Sequence, residues 1–74
     1  MRCVDLFSGC GGLSLGFINA GHEIITAFDN WDDAINVYRA NFRHPNLKLD
    51  LSDVKLASDI IAPLHPQMII GGPP

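Results

Sequence analysis

Cysteine is scarce in this chain: Cys3 and Cys10 are the only two, and no CxxC pair occurs. That excludes a disulfide framework and a structural zinc site, and a reducing, cytoplasmic setting is expected. The three histidines, His22, His44 and His65, are far apart, so they are expected on loops or surfaces with no metal between them. Basic residues are also few, five Lys and Arg against eight acids, for a net charge of −3. They are scattered, which excludes a clustered Lys/Arg face for nucleic acid within these residues. Long apolar runs are missing too. Nothing approaches the ~18 residues that cross a bilayer. The opening Met1-Arg2-Cys3-Val4-Asp5 puts an acid inside the first apolar stretch, unlike a secretory signal. No membrane partner is expected.

What is present is a short globular chain of 74 residues, 47% hydrophobic and 18% charged, without repeats or flexible linkers. Cys3 to Phe7 is a short apolar run closed by Ser8-Gly9, which predicts a strand. Leu13, Phe17 and Ala20 share one helical face, and Gly21 stands where that helix ends. Glu23 to Phe28 predicts a second strand, ended by Asp29-Asn30. Trp31, Ala34, Ile35, Tyr38 and Phe42 form the stripe of a second helix. Asp32 and Asp33 at its start and Arg39 and Arg43 near its end suit the helix dipole, and Pro45 stops it. Asn46 to Leu49 is a third strand leading into Asp50. Ser52 is the expected cap of a third helix through Val54, Ala57, Ile60 and Ile61, stopped by Pro63. Met68 to Ile70 is a fourth strand, running into Gly71-Gly72-Pro73-Pro74.

This β-α-β-α-β-α-β order predicts an α/β fold: a parallel sheet with right-handed crossovers, one half of a doubly wound nucleotide-binding fold. Ligands of such folds sit at the carboxyl ends of the strands. The last strand is expected to present an edge that these residues leave uncovered.

The candidate functional residues all fall at those ends. Phe7-Ser8-Gly9-Cys10-Gly11-Gly12 is a glycine turn that lets a ligand approach the backbone, and the helix after it offers N–H groups to a carboxylate. A plain tight turn is the alternative. Ser14 stands where the dinucleotide fingerprint has its third glycine, which counts against a dinucleotide. Asp29 follows Gly9 by twenty positions, suited to the two hydroxyls of a ribose or to capping the next helix. Asp50 suits an exocyclic adenine amine, or a turn. Trp31 and Phe7 are placed to lie against an adenine ring, or in the core. No Walker motif and no neighbouring Lys or Arg grips phosphate. An adenosine ligand without phosphates is S-adenosylmethionine or its product S-adenosylhomocysteine.

The run Asp5-Leu6-Phe7-Ser8-Gly9-Cys10-Gly11-Gly12-Leu13-Ser14-Leu15-Gly16-Phe17 resembles the first motif of the cytosine-5 DNA methyltransferases. Asp29-Asn30-Trp31-Asp32, with Tyr38 and Asn41-Phe42, resembles their second, Asp50-Leu51 the third, and Gly71-Gly72-Pro73-Pro74 the opening of the fourth. The resemblance covers essentially the whole chain. It implies a Rossmann-like methyltransferase fold, with residues 1–74 as the N-terminal cofactor-binding part of a catalytic domain. It further implies S-adenosylmethionine bound by Phe7, Ser8, Gly9, Cys10, Gly11, Gly12 and Leu13, by Asp29, Asn30 and Trp31, by Asp50 and Leu51, and by Gly72 and Pro74. The family's ribose acid is usually Glu, one methylene longer than Asp29, and Gln67 stands where an acid often precedes the fourth strand.

In that family a nucleophilic cysteine directly follows the Pro-Pro pair, and its thiolate attacks C6 of a flipped-out cytosine. The catalytic cysteine, the later glutamate and the target-recognition region are not among these residues, so the 74 residues alone are expected to be inactive. DNA contacts would lie in that missing part. The expectation is a bacterial restriction–modification enzyme. The alternatives are an RNA cytosine-5 methyltransferase, a half-enzyme whose sheet a second chain completes, and a non-catalytic nucleotide-binding domain.

Overall fold

The structure, a computed structural model, describes residues 1–72, so the expectations for Pro73 and Pro74 lie outside the described residues. The chain runs β1 (Arg2–Leu6), α1 (Gly12–Asn19), β2 (Glu23–Asp29), α2 (Asp32–Asn41), β3 (Asn46–Lys48), α3 (Val54–Ile61), a 3-10 turn (Ala62–Leu64) and β4 (Met68–Gly71). The four strands form one sheet in the order β3-β2-β1-β4, and every pairing is parallel. The chain steps outward from β1 to β3 and then returns across the sheet to β4. With right-handed crossovers, that reversal puts α1 and α2 on one face and α3 on the other.

Alternation along β1 serves both faces. Cys3 packs with Ile24 and Ile70 beneath Phe17 and Ile18 of α1. Val4 packs with Phe28 and Leu49 against Ala57 of α3, with Ile60 and Ile61 beside them. The predicted α/β order is therefore the observed one. β4 forms one edge of the sheet, and Ile69 on it is 56% exposed beside an apolar groove of about 440 Å³ that also takes in Val54 and Ile61. No helix among the described residues is long and apolar enough to cross a membrane.

Local differences from the sequence expectations have physical causes. In α1 the inward residue is Ser14, fully buried, whereas Leu13 is 41% exposed and Ala20 is exposed. Asp5 is buried on that face of β1 and needs a donor, so the serine turns inward and the predicted Leu13–Phe17–Ala20 stripe turns partly out. Trp31 does not join the buried stripe of α2; it precedes the helix and is 65% exposed, while Ala34, Ile35 and Tyr38 are buried. α3 is capped by Asp53, whose carboxylate accepts from the Leu56 N–H at 3.1 Å, because Ser52 is already bonded to Asp50. Pro63 does not end the helical path but sits in the 3-10 turn, where its missing N–H is not needed. β1 ends at Leu6, and Phe7 takes a left-handed φ of 56°.

Candidate functional site

A cavity of about 610 Å³ opens at the carboxyl ends of all four strands. Phe7 and Gly9 enter it from β1, Asp29, Asn30 and Trp31 from β2, Leu49 to Ser52 from β3, and Gly72 from β4. It flanks the point where the strand order reverses, the place such sheets offer a ligand.

The first wall is the glycine turn. Ser8 anchors it by donating its N–H to the Phe28 carbonyl at 2.9 Å, and its own carbonyl accepts from Gly11 N–H at 3.1 Å. Gly9 at φ 55° and Gly11 at φ 106° hold left-handed backbone that side chains disfavour. Phe7 has the same sign of φ despite its side chain. Such a conformation costs a non-glycine residue on the order of 1–3 kcal/mol.

Asp29 joins the strand ends. Its Oδ2 accepts from Gly9 N–H at 2.6 Å, its Oδ1 from Asn30 N–H at 2.7 Å, and its carbonyl from Leu49 N–H at 2.8 Å. Each carboxylate oxygen keeps a second acceptor position, so the group can still receive two hydroxyl protons. Asp50 is exposed, and its Oδ1 takes both the Ser52 N–H at 3.0 Å and the Ser52 hydroxyl at 2.6 Å. Those bonds hold its carboxyl below the usual carboxylate value, so it stays ionised. Phe7, 38% exposed, and Trp31 supply aromatic surface to the same cavity. Among the described residues, no Lys or Arg lines it.

Of the expected site residues, Phe7, Gly9, Asp29, Asn30, Trp31, Asp50, Leu51 and Gly72 are brought together in this cleft. Ser8, Cys10, Gly11, Gly12 and Leu13 are not in its lining. Ser8 is buried in the turn, Cys10 is exposed, and Gly11 is buried against the rings of Phe42 and Tyr38. Gly12 and Leu13 line a smaller groove of about 220 Å³ with Phe17 and His22. Sequence reasoning missed Leu49 and Ser52 as cleft residues. The pattern Asp50-Leu51-Ser52, an acid two residues before a serine, was the available signal for the latter.

A second polar group lies outside the cleft. Ser14 donates to Asp5 Oδ2, Tyr38 donates to Ser14 Oγ at 2.9 Å, and His44 Nε2 meets the Tyr38 hydroxyl. His44 is thus not a plain surface residue: it is half-buried and packs against Tyr38 and Phe42. His22 meets the N-terminal amine of Met1 at 3.1 Å, and His65 is exposed. No cluster of three metal-ligating side chains occurs among the described residues. Burial pushes Asp5 up, Tyr38 up to about 12 and His44 down, so all three favour their neutral forms.

The Asp5 shift has a sign that can be tested. A carboxyl raised on folding holds its proton more tightly in the folded chain. Its favourable contribution is therefore complete below the unfolded value of 3.8 and is lost as pH rises through the folded value. Asp5→Asn removes that titration, so the stability of the variant relative to the parent is expected to rise between pH 4 and pH 7. Urea unfolding of both chains at the two pH values measures it. A difference independent of pH would place the Asp5 proton elsewhere.

A sequence profile of the C-5 cytosine-specific DNA methylase family matches residues 1–74. The chain is 57% identical over its whole length to a type II methyltransferase, M.HindV, of Haemophilus influenzae, and covers 24% of it. It is 54% identical to M.HgiGI of Herpetosiphon aurantiacus, covering all of this chain and 59% of that one. A crystal structure of an E. coli prophage-encoded chain, described as a DNA modification methyltransferase, superposes with a TM-score of 0.83 at 36% identity over the whole chain and 22% of its own length. That match supports a Rossmann-like fold. The chain spans about a quarter of M.HindV, and it belongs to the C-5 cytosine-specific DNA methylase family.

Proposed function

We propose that residues 1–74 are the S-adenosylmethionine-binding part of a DNA cytosine-5 methyltransferase of the bacterial restriction–modification type. The observation that carries the proposal is the composition of the cleft: two carboxylates and two exposed aromatics, with no lining Lys or Arg among the described residues. Anionic walls repel a phosphorylated nucleotide and favour a ligand that carries a positive sulfonium and no phosphate. Asp29 would accept from the ribose hydroxyls, Asp50 from the adenine amine, and Phe7 and Trp31 would flank the base. The turn from Gly9 to Gly12, Cys10 included, with Ser8 and Leu13 on either side of it, would take the amino-acid end. Bound there, the cofactor supplies an electrophilic methyl group.

The nucleophile and the DNA-reading surface belong to the parts of the relatives that this chain does not cover. Neither cysteine present suits the nucleophile's role: Cys3 is buried in β1 and Cys10 stands in the turn. These residues by themselves bind cofactor and do not methylate.

The test is titration of the chain with S-adenosylhomocysteine and with ATP, followed by Trp31 fluorescence, since Trp31 is the single tryptophan. Saturable change with S-adenosylhomocysteine and at least tenfold weaker response to ATP is expected. Equal or tighter binding of ATP would support a general nucleotide-binding domain instead.

A further inference from the structure

Asp5, Ser14, Tyr38 and His44 come from β1, α1, α2 and the loop before β3, and none of them lines the cleft. Asp5 and Ser14 are fully buried, and so is Tyr38. A carboxyl in such a place is costly unless it is hydrogen-bonded, and an apolar residue would fill the space more cheaply. The bonds order themselves in one direction. Tyr38 donates to Ser14 and Ser14 donates to Asp5, so the Tyr38 oxygen is left to accept from His44 Nε2–H. Each hydroxyl gives one proton and receives one, and the carboxyl ends the series.

The series touches the glycine turn through the Tyr38 ring. That ring stacks on Phe42 with centroids 4.3 Å apart, and the pair packs directly on Gly11. A Cβ built on Gly11 would lie 2.2 Å from Phe42 Cε2 and 3.1 Å from Tyr38 Cδ2. The ring pair is therefore the floor of the turn, and the hydroxyl series fixes where that floor stands. Ser14 adds a second constraint, since it lies in the first turn of α1 and is tied to β1 through Asp5.

We propose that Ser14 is a positioning residue for the amino-acid end of the cofactor: bonded to Asp5 on one side and Tyr38 on the other, it holds the Gly9–Gly12 turn at the height the ligand requires. This rests on the cofactor reading given above. It also accounts for the serine at the position where a dinucleotide fold has its third glycine: here the helix is tied to the strand by a hydrogen bond, not by close backbone packing.

The experiment compares two ligands on the chain by calorimetry. S-adenosylhomocysteine has the amino-acid end; 5′-deoxy-5′-methylthioadenosine has the adenosine and sulfur without it. Ser14→Ala is expected to weaken S-adenosylhomocysteine about tenfold, roughly one hydrogen bond's worth, and to leave methylthioadenosine within about twofold. Ser14→Thr, which keeps the hydroxyl, is expected to restore the parent affinity. Equal weakening of both ligands, or none of either, would overturn the positioning role while leaving the cofactor reading standing. If Ser14→Ala binds neither ligand, Tyr38→Phe decides by the same ligand comparison, because it deletes only the hydroxyl and keeps the ring under Gly11. A parent chain that binds neither ligand would overturn the cofactor reading, and this inference with it.

Discussion

Gly11→Ala is expected to unfold much of this chain. The residue sits at φ 106°, where a Cβ costs about 1–2 kcal/mol. The added methyl would also meet the Phe42 ring at 2.2 Å and 2.8 Å, far inside contact distance, with Tyr38 behind it. To admit the methyl, Phe42 must move its ring, which breaks its stack on Tyr38. Overpacking of this kind adds a further ~1–3 kcal/mol. A total loss of about 3 kcal/mol is a large fraction of the stability of a domain this small. Gly16, inside α1, provides the contrast. A Cβ there meets nothing within 4 Å, and alanine in a helix interior is worth about 0.5–1 kcal/mol over glycine. Urea unfolding of the two variants should therefore move in opposite directions from the parent. A Gly11→Ala chain that melts with the parent would mean the turn does not rest on the two rings.

Asp29→Ala is expected to lower affinity for S-adenosylhomocysteine by at least about 100-fold. Two losses combine. The carboxylate no longer accepts from Gly9 and Asn30, so the β1 turn and the entry to α2 are released from each other. The proposed ribose contacts vanish with it, and hydrogen bonds to a charged group contribute about 1.5–3 kcal/mol each. Asp29→Glu keeps the charge and lengthens the reach by one methylene, so its affinity is expected within about tenfold of the parent. Calorimetric titration of the three chains separates the cases. Retention of parent affinity by the alanine variant would remove Asp29 from the ribose role and leave it as a clamp on Gly9.

The cleft was legible because each apolar run is followed at once by turn chemistry: Ser8-Gly9 after β1, Asp29-Asn30 after β2, Asp50 after β3, Gly72 after β4. Parallel topology brings those ends to one side of the sheet, so local punctuation becomes a shared site. What the sequence concealed was non-local. Ser14 lies nine positions from Asp5 and twenty-four from Tyr38, and a serine in an apolar helical window has the pattern of a solvent-facing residue. Only the buried acid across the interface turns it inward. The α3 cap failed for a different reason. Ser52 and Asp53 are both good capping residues, and the choice between them depends on Asp50 having already engaged the serine. Trp31 matched the helical period of its stripe, yet it precedes the first turn of α2 and so stands free of the core, in the cleft.

The two edges of the sheet are not alike. β3 is three residues long and closes on Lys48, whose ammonium is paired with Asp32 at 3.0 Å. A short, charged strand is a poor template for a neighbour. β4 carries Met68, Ile69, Ile70 and Gly71, without a charge, and the apolar groove beside Ile69 continues its surface onto α3. Another strand finds backbone partners and an apolar bed at β4 and is discouraged at β3. The described sheet is therefore asymmetric in its readiness to pair: the β4 edge is open to a further strand, and the β3 edge is guarded against one.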